Sequence, residues 1–207
     1  MQGKAQMKSN VYSYVLGNRL YLNITNSCTN RCEFCVRESG DGSVAEGSLW
    51  LQHQPTVKEV LDSLDHPEQY VEVVFCGFGE PLSRVDTVIA IARELRQYHV
   101  PIRINTNGQA NLIHQRNIVP DLKGLIDVVS ISLNAESAEK YQQICHSVFG
   151  EPVFQGILDF AAACKTYIPQ VVLSVVDMPN IDVEACRKIA HSLGVEFRLR
   201  QFNPELS

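Results

Sequence analysis

The 207-residue sequence has no surplus of positive charge, no long apolar run and a single tryptophan. Its 18 basic residues are outnumbered by 23 acidic ones, giving a net charge of -5. Nucleic acid is therefore not indicated as a partner, nor is an anionic membrane surface, and only a local basic groove remains open. No stretch approaches the roughly 20 apolar residues that a bilayer-crossing helix needs. Met1 to Asn10 is polar, with no apolar segment to serve as a secretory signal. A cytoplasmic location without membrane association is expected. Internal repeats, low-complexity tracts and domain linkers are also missing; Glu38 to Glu46, rich in Gly and Ser, reads as a loop.

What is present suits one fold. A hydrophobic content of 45% can bury one sizeable core, so residues 1–207 are expected to form a single domain, with residues 1–19 as an N-terminal hairpin extension and 38–55 as a loop. Short β-branched and apolar runs occur at Leu20 to Ile24, Val71 to Phe75, Pro101 to Asn105, Val128 to Leu133, Val171 to Val176 and Phe197 to Phe202. These predict six strands with five crossovers. Val85, Val88, Ile89, Ala92 and Leu95 predict one face of an amphipathic helix, and Val153, Ile157, Ala161 and Cys164 that of another. Repeating βα units imply a parallel sheet, either doubly wound or barrel-like, too short for a closed eight-stranded barrel. Upstream, Gly17-Asn18 between Val11–Val15 and Arg19–Asn23 predicts a tight hairpin turn.

Seven cysteines in a reducing compartment argue against a disulfide framework. Cys28, Cys32 and Cys35 directly follow the first strand of the parallel series, which puts them on a loop at the carboxyl edge of the sheet, where βα folds place chemistry. A C-x3-C-x2-C spacing lets three thiolates converge on one small object, and a four-iron cubane so held keeps one iron open to a small ligand. The competing reading is structural zinc, with His53 or Cys76 as fourth ligand. Against it, the chain has no second C-x2-C and no closely spaced histidine pair. A redox pair of Cys32 and Cys35 would leave Cys28 without a role.

C-x3-C-x-aromatic-C, with Phe34 as the aromatic residue, resembles the signature of radical SAM enzymes. Cys76-Gly77-Phe78-Gly79-Glu80-Pro81-Leu82 resembles that superfamily's glycine-rich motif. The resemblance implies a partial (βα)6 TIM-like barrel of parallel strands, open on one side, with a [4Fe–4S] cluster and S-adenosylmethionine as cofactors. It further implies reductive cleavage of S-adenosylmethionine to methionine and a 5′-deoxyadenosyl radical that takes hydrogen from a substrate. By resemblance Gly77, Phe78, Gly79 and Glu80 meet the methionine ammonium, while Asn107, Ser132 and Asn134 meet the ribose and carboxylate. The flanks Tyr21 to Asn26, Val36 to Glu38 and Ser48 to Leu51 resemble the TatD-associated radical SAM proteins. A one-electron donor such as flavodoxin or ferredoxin is implied, and the substrate, small molecule or protein, is unassigned. Related alternatives are a glycyl-radical-enzyme activase and a deazaguanine-type carboxy synthase; from another class, a zinc-stabilised binding module.

Several residues stand outside these motifs. Cys76 reads as a small buried residue at a strand end, with a redox thiol as the alternative. Cys145, Cys164 and Cys186 read as core packing. Trp50 either lines the site's mouth or anchors its loop. Arg198 and Arg200 alternate on the last strand and share a face; if that face is the barrel interior they can bind an anionic substrate.

Overall fold

The computed structural model describes residues 10–39, 43–44 and 47–201. The polar segment before Asn10, most of the Gly/Ser loop and the end of the last expected strand at Phe202 lie outside the described residues. One seven-stranded sheet organises the rest: β1 Ser13–Leu16, β2 Arg19–Leu22, β3 Val73–Phe75, β4 Ile102–Thr106, β5 Val128–Ser132, β6 Gln170–Asp177 and β7 Glu196–Gln201, hydrogen-bonded in that order. Strand β1 runs antiparallel to β2 across the expected turn, with Gly17 at φ 61°, and every later pairing is parallel. The six parallel strands fall where their apolar runs placed them, and the sheet is the partial barrel that was expected.

The two rows of each strand have opposite tasks. The register Leu22, Phe75, Ile104, Val129 and Val171 runs straight across the sheet, and these side chains face outward into the core. They are covered by α1 Val57–Asp62, α2 Val85–Leu95, α3 Ala138–Cys145, α4 Val153–Tyr167 and α5 Val183–Leu193. Helix α1 opens with a capping box between Thr56 and Glu59, and α5 closes on Gly194 at φ 64°. On α2 the buried stripe is Val85, Val88, Ile91, Ala92 and Leu95, with Ile89 only half-buried. Ile89 lies about 100° around the helix from Val88, away from the middle of the stripe that Ile91 completes. On α4 the expected Val153, Ile157, Ala161 and Cys164 are all buried.

The inner row is mixed. Val74 and Val172 share it with Arg103, Asn105, Ser130 and Ser174, and Tyr21 of β2 lines the same cavity as Arg198 and Arg200 of β7. Strands from opposite ends of the order meet around one space, so the sheet curls. Its ends, β1 and β7, are not paired, which leaves the barrel open on one side.

The loop after β3 is strapped onto the segment that follows β2. Gly79 N–H donates to the Thr25 carbonyl at 2.8 Å, Glu80 N–H to that of Ser27 at 2.8 Å, and Arg84 Nη1 to that of Ile24 at 2.7 Å. The approach is so close that a Cβ on Gly79 would fall 2.4 Å from the Ser27 carbonyl oxygen and 2.6 Å from that of Thr25, and one on Gly77 would meet Asn23 Oδ1 at 2.1 Å. Gly79 is thus required by the protein's own backbone, and Gly77 chiefly by the Asn23 side chain. Gly79→Ala must force these main-chain segments apart, and a loss of about 3 kcal/mol, the upper end of overpacking costs, is expected in urea unfolding; an unchanged midpoint would disprove the close approach.

Candidate active site

The cluster loop sits at the carboxyl edge of β2, and side chains from other elements hold it there. Asn30 Nδ2 donates to the Tyr141 hydroxyl at 2.8 Å, and Gln109 Nε2 donates to Asn30 Oδ1 at 2.7 Å and to the same hydroxyl at 3.0 Å. The Thr29 hydroxyl donates to Gln109 Oε1 at 2.6 Å. From α3 the main chain joins in: Arg31 N–H donates to the Cys145 carbonyl at 2.9 Å and Glu33 N–H to that of Ile144 at 3.0 Å. Sequence reading found none of this network. The available signal was a tyrosine on the apolar face of α3, whose hydroxyl needs a partner once buried.

Cys28, Cys32 and Cys35 all lie half-buried on this loop, and Phe34 packs its ring against the core. Burial pushes the Cys28 thiol up to about 11. The Cys32 thiol is raised by its hydrogen bond with Cys145 and by burial, so Cys145 is the wall against which the loop rests as well as a packing residue. Among the described residues no three thiol, imidazole or carboxylate groups form a ready cage for a metal ion. The convergence expected from the spacing is therefore not built into the packing. Neutral thiols gain by hydrogen-bonding their neighbours, and drawing ligands together is work for the metal that binds them.

The donor set nonetheless fits an iron–sulfur cluster. Three thiols come from one loop, and the N–H groups of Asn30 (3.4 Å) and Asn107 Nδ2 (3.9 Å) point at Cys28 Sγ. Arg37, whose charge lowers the Cys28 and Cys32 thiols, stands beside them. The zinc reading fares worse. His53 is spent on Glu59 and Tyr12, and the half-buried Cys76 has its thiol against Asn105.

The remaining expected residues divide. Glu80 is buried, and its carboxyl group accepts three hydrogen bonds: Oε1 from Leu82 N–H at 3.0 Å and the Thr106 hydroxyl at 2.7 Å, Oε2 from Asn107 N–H at 2.6 Å. The Asn107 amide is likewise spent on Thr29 Oγ1 (3.0 Å) and Cys28. The Phe78 side chain packs with Val11, Tyr14 and Leu49, where the exposed Trp50 meets it edge-on at 5.2 Å. Asn134, at φ 58°, and Ser132 both accept from Arg200 Nη2, at 3.2 and 3.5 Å.

Two outcomes follow. Tyr141→Phe strands two amide donors, and a loss of about 1–3 kcal/mol is expected in urea unfolding. Burial raises Glu80 from 4.5 to about 7 against the pull of its three donors. The folded chain thus holds a proton that the unfolded chain has released, and the resulting stability is full below pH 4.5 and is lost as pH rises through about 7. The stability of wild type relative to Glu80→Gln should therefore fall as pH rises from 4.5 to about 7; a constant or rising difference would contradict the assignment.

Residues 22–193 match the family model of the radical SAM superfamily. A candidate glycyl-radical enzyme activating enzyme of Methanocaldococcus jannaschii is 26% identical over 193 residues, covering 86% of this chain and 70% of that protein. A dual-specificity RNA methyltransferase of a Nitratiruptor species is 23% identical over 190 residues, covering 86% of this chain and 52% of that protein. Among solved structures, Streptococcus suis SuiB bound to S-adenosylmethionine superposes with a TM-score of 0.65 at 13% identity, over 88% of this chain and 40% of SuiB. The chain thus spans about half the length of the last two. With the fold, the cysteine loop and the family model in agreement, the chain belongs to the radical SAM superfamily, enzymes that work with a [4Fe–4S] cluster and S-adenosylmethionine.

Proposed function

We propose that Cys28, Cys32 and Cys35 ligate the [4Fe–4S] cluster of this radical SAM enzyme and that the loop Gly77 to Glu80 receives the methionine end of S-adenosylmethionine. The observation that carries this reading is the hydrogen-bonded unit at the sheet's carboxyl edge, in which Gly79, Glu80 and Asn107 are all tied to the segment bearing Cys28. When bound and reduced, the cluster supplies the electron that cleaves S-adenosylmethionine to methionine and a 5′-deoxyadenosyl radical. The protein's role is to bind and orient. Glu80, through the three hydrogen bonds it accepts, fixes the loop. The carbonyls of Gly77, Phe78 and Gly79, which accept no hydrogen bond among the described residues, are left to receive an ammonium group. Asn30 and Asn107 donate toward sulfur, a contact that raises a cluster's potential. Ser132 and Asn134, held by Arg200, border the remaining cofactor space.

The finer elements of the proposal are a single core domain, kinship with the TatD-associated members, a flavodoxin- or ferredoxin-type donor and a cytoplasmic setting. Among the described residues no helix is long and apolar enough to cross a membrane. A second reading, activation of a glycyl-radical partner, is favoured by the similarity to the Methanocaldococcus protein; a glycyl-radical signal in a partner protein after incubation would identify it.

The test is anaerobic reconstitution followed by iron and sulfide analysis, then reduction with dithionite in the presence of S-adenosylmethionine and assay for 5′-deoxyadenosine. About four irons per chain and deoxyadenosine formation abolished by Cys32→Ala are expected. Stoichiometric zinc without cleavage would refute the proposal.

A further inference from the structure

Inside the curled sheet, beside the cluster edge, lies a cavity of about 210 Å³ lined by three arginines and no carboxylate. Arg198 and Arg200, both solvent-exposed, reach it from β7, two residues apart and on the same face, so the arginines stand about 7 Å apart along the strand. Among the described residues Arg200 hydrogen-bonds only to neutral groups, Asn134 Oδ1 and Ser132 Oγ. Arg198 has no hydrogen-bond or ion-pair partner among the described residues, and its charge works against that of Arg200. Deeper in, Arg103 is 8% exposed; its Nη2 lies 3.1 Å from Glu72 Oε1, a carboxylate that Arg19 also binds. Arg103 Nε is buried without a partner. One carboxylate at the base of the lumen thus serves two guanidinium groups, while those of β7 have none among the described residues. Hydroxyls of Ser130 and Ser174 and the Asn105 amide complete a wall of hydrogen-bonding groups.

Guanidinium groups without counterions around a small polar space are suited to an oxyanion, which takes paired N–H donors from arginine. We propose that the lumen binds the phosphate or carboxylate group of a small-molecule substrate, with Arg198 and Arg200 as its direct contacts and Arg103 adding charge from below. The inference rests on the radical SAM reading only in taking the lumen as the substrate site. The cavity is smaller than the roughly 300 Å³ of a drug-sized pocket, so it fits a small anion or the anionic end of a molecule whose remainder lies in the barrel's open side. The location suits hydrogen abstraction, since an anchored anion leaves the rest of the substrate facing the carboxyl edge.

Calorimetric titration of the reconstituted holoenzyme with inorganic phosphate, and separately with succinate, tests this, each with and without saturating S-adenosylmethionine. Saturable binding of at least one probe is expected, unchanged by S-adenosylmethionine, with affinity lowered about tenfold or more by Arg198→Gln or Arg200→Gln, as for the loss of one charge-assisted contact. Arg198→Lys should recover some of it, and thermal melts of each variant separate lost binding from lost folding. Binding abolished by S-adenosylmethionine would assign the arginines to the methionine carboxylate and overturn the proposal. Absence of binding, or binding indifferent to both substitutions, would overturn it too and leave the arginines as inward charges that keep the edge strand from pairing. None of these readings depends on the deoxyadenosine assay, so failure here is distinct from failure of the radical SAM assignment.

Discussion

The carboxyl edge of the sheet is organised around one buried carboxylate. Glu80 gathers the hydroxyl of Thr106 and the main-chain N–H groups of Leu82 and Asn107, while its own N–H reaches the Ser27 carbonyl. Ends of three strands, β2, β3 and β4, are thereby held in one arrangement. Hydrogen bonds to a carboxylate in a dry setting are directional and costly to leave unmade, so each loop limits where the others can go. The segment bearing Cys28 inherits its position from this knot, and Asn107 is held against the sulfur by the same contacts.

Much of this was legible in the sequence, and the reasons are physical. Strands buried on their outer face within a parallel sheet carry β-branched residues in short runs, so all six were found from periodicity. The cysteine spacing and the glycine-rich motif are local in the chain, and local patterns survive in one dimension. The Tyr141–Asn30–Gln109 network does not, because its members lie 111 and 79 residues apart and none is unusual in its own neighbourhood. For the glycines, the resemblance pointed to the methionine ammonium, whereas the crowding seen in the fold comes from Asn23, Thr25, Asn26 and Ser27.

The last strand shows a different limit. Alternation places Arg198 and Arg200 on one face but cannot say which face is inside, because Leu199 between them is itself 37% exposed and the usual contrast between a wet and a dry row is weak on an edge strand. The answer comes from curvature, which brings Tyr21 from the other end of the sheet into the same space.

The separation of the two rows of each strand also bears on how such a chain can change. Fold stability is vested in the outward row and the helices over it, whereas the inward row at Ser130, Ser174 and Asn105 is left to small polar groups. Exchanges among those inward residues leave the buried apolar register untouched, so selectivity can drift while the scaffold stays sound.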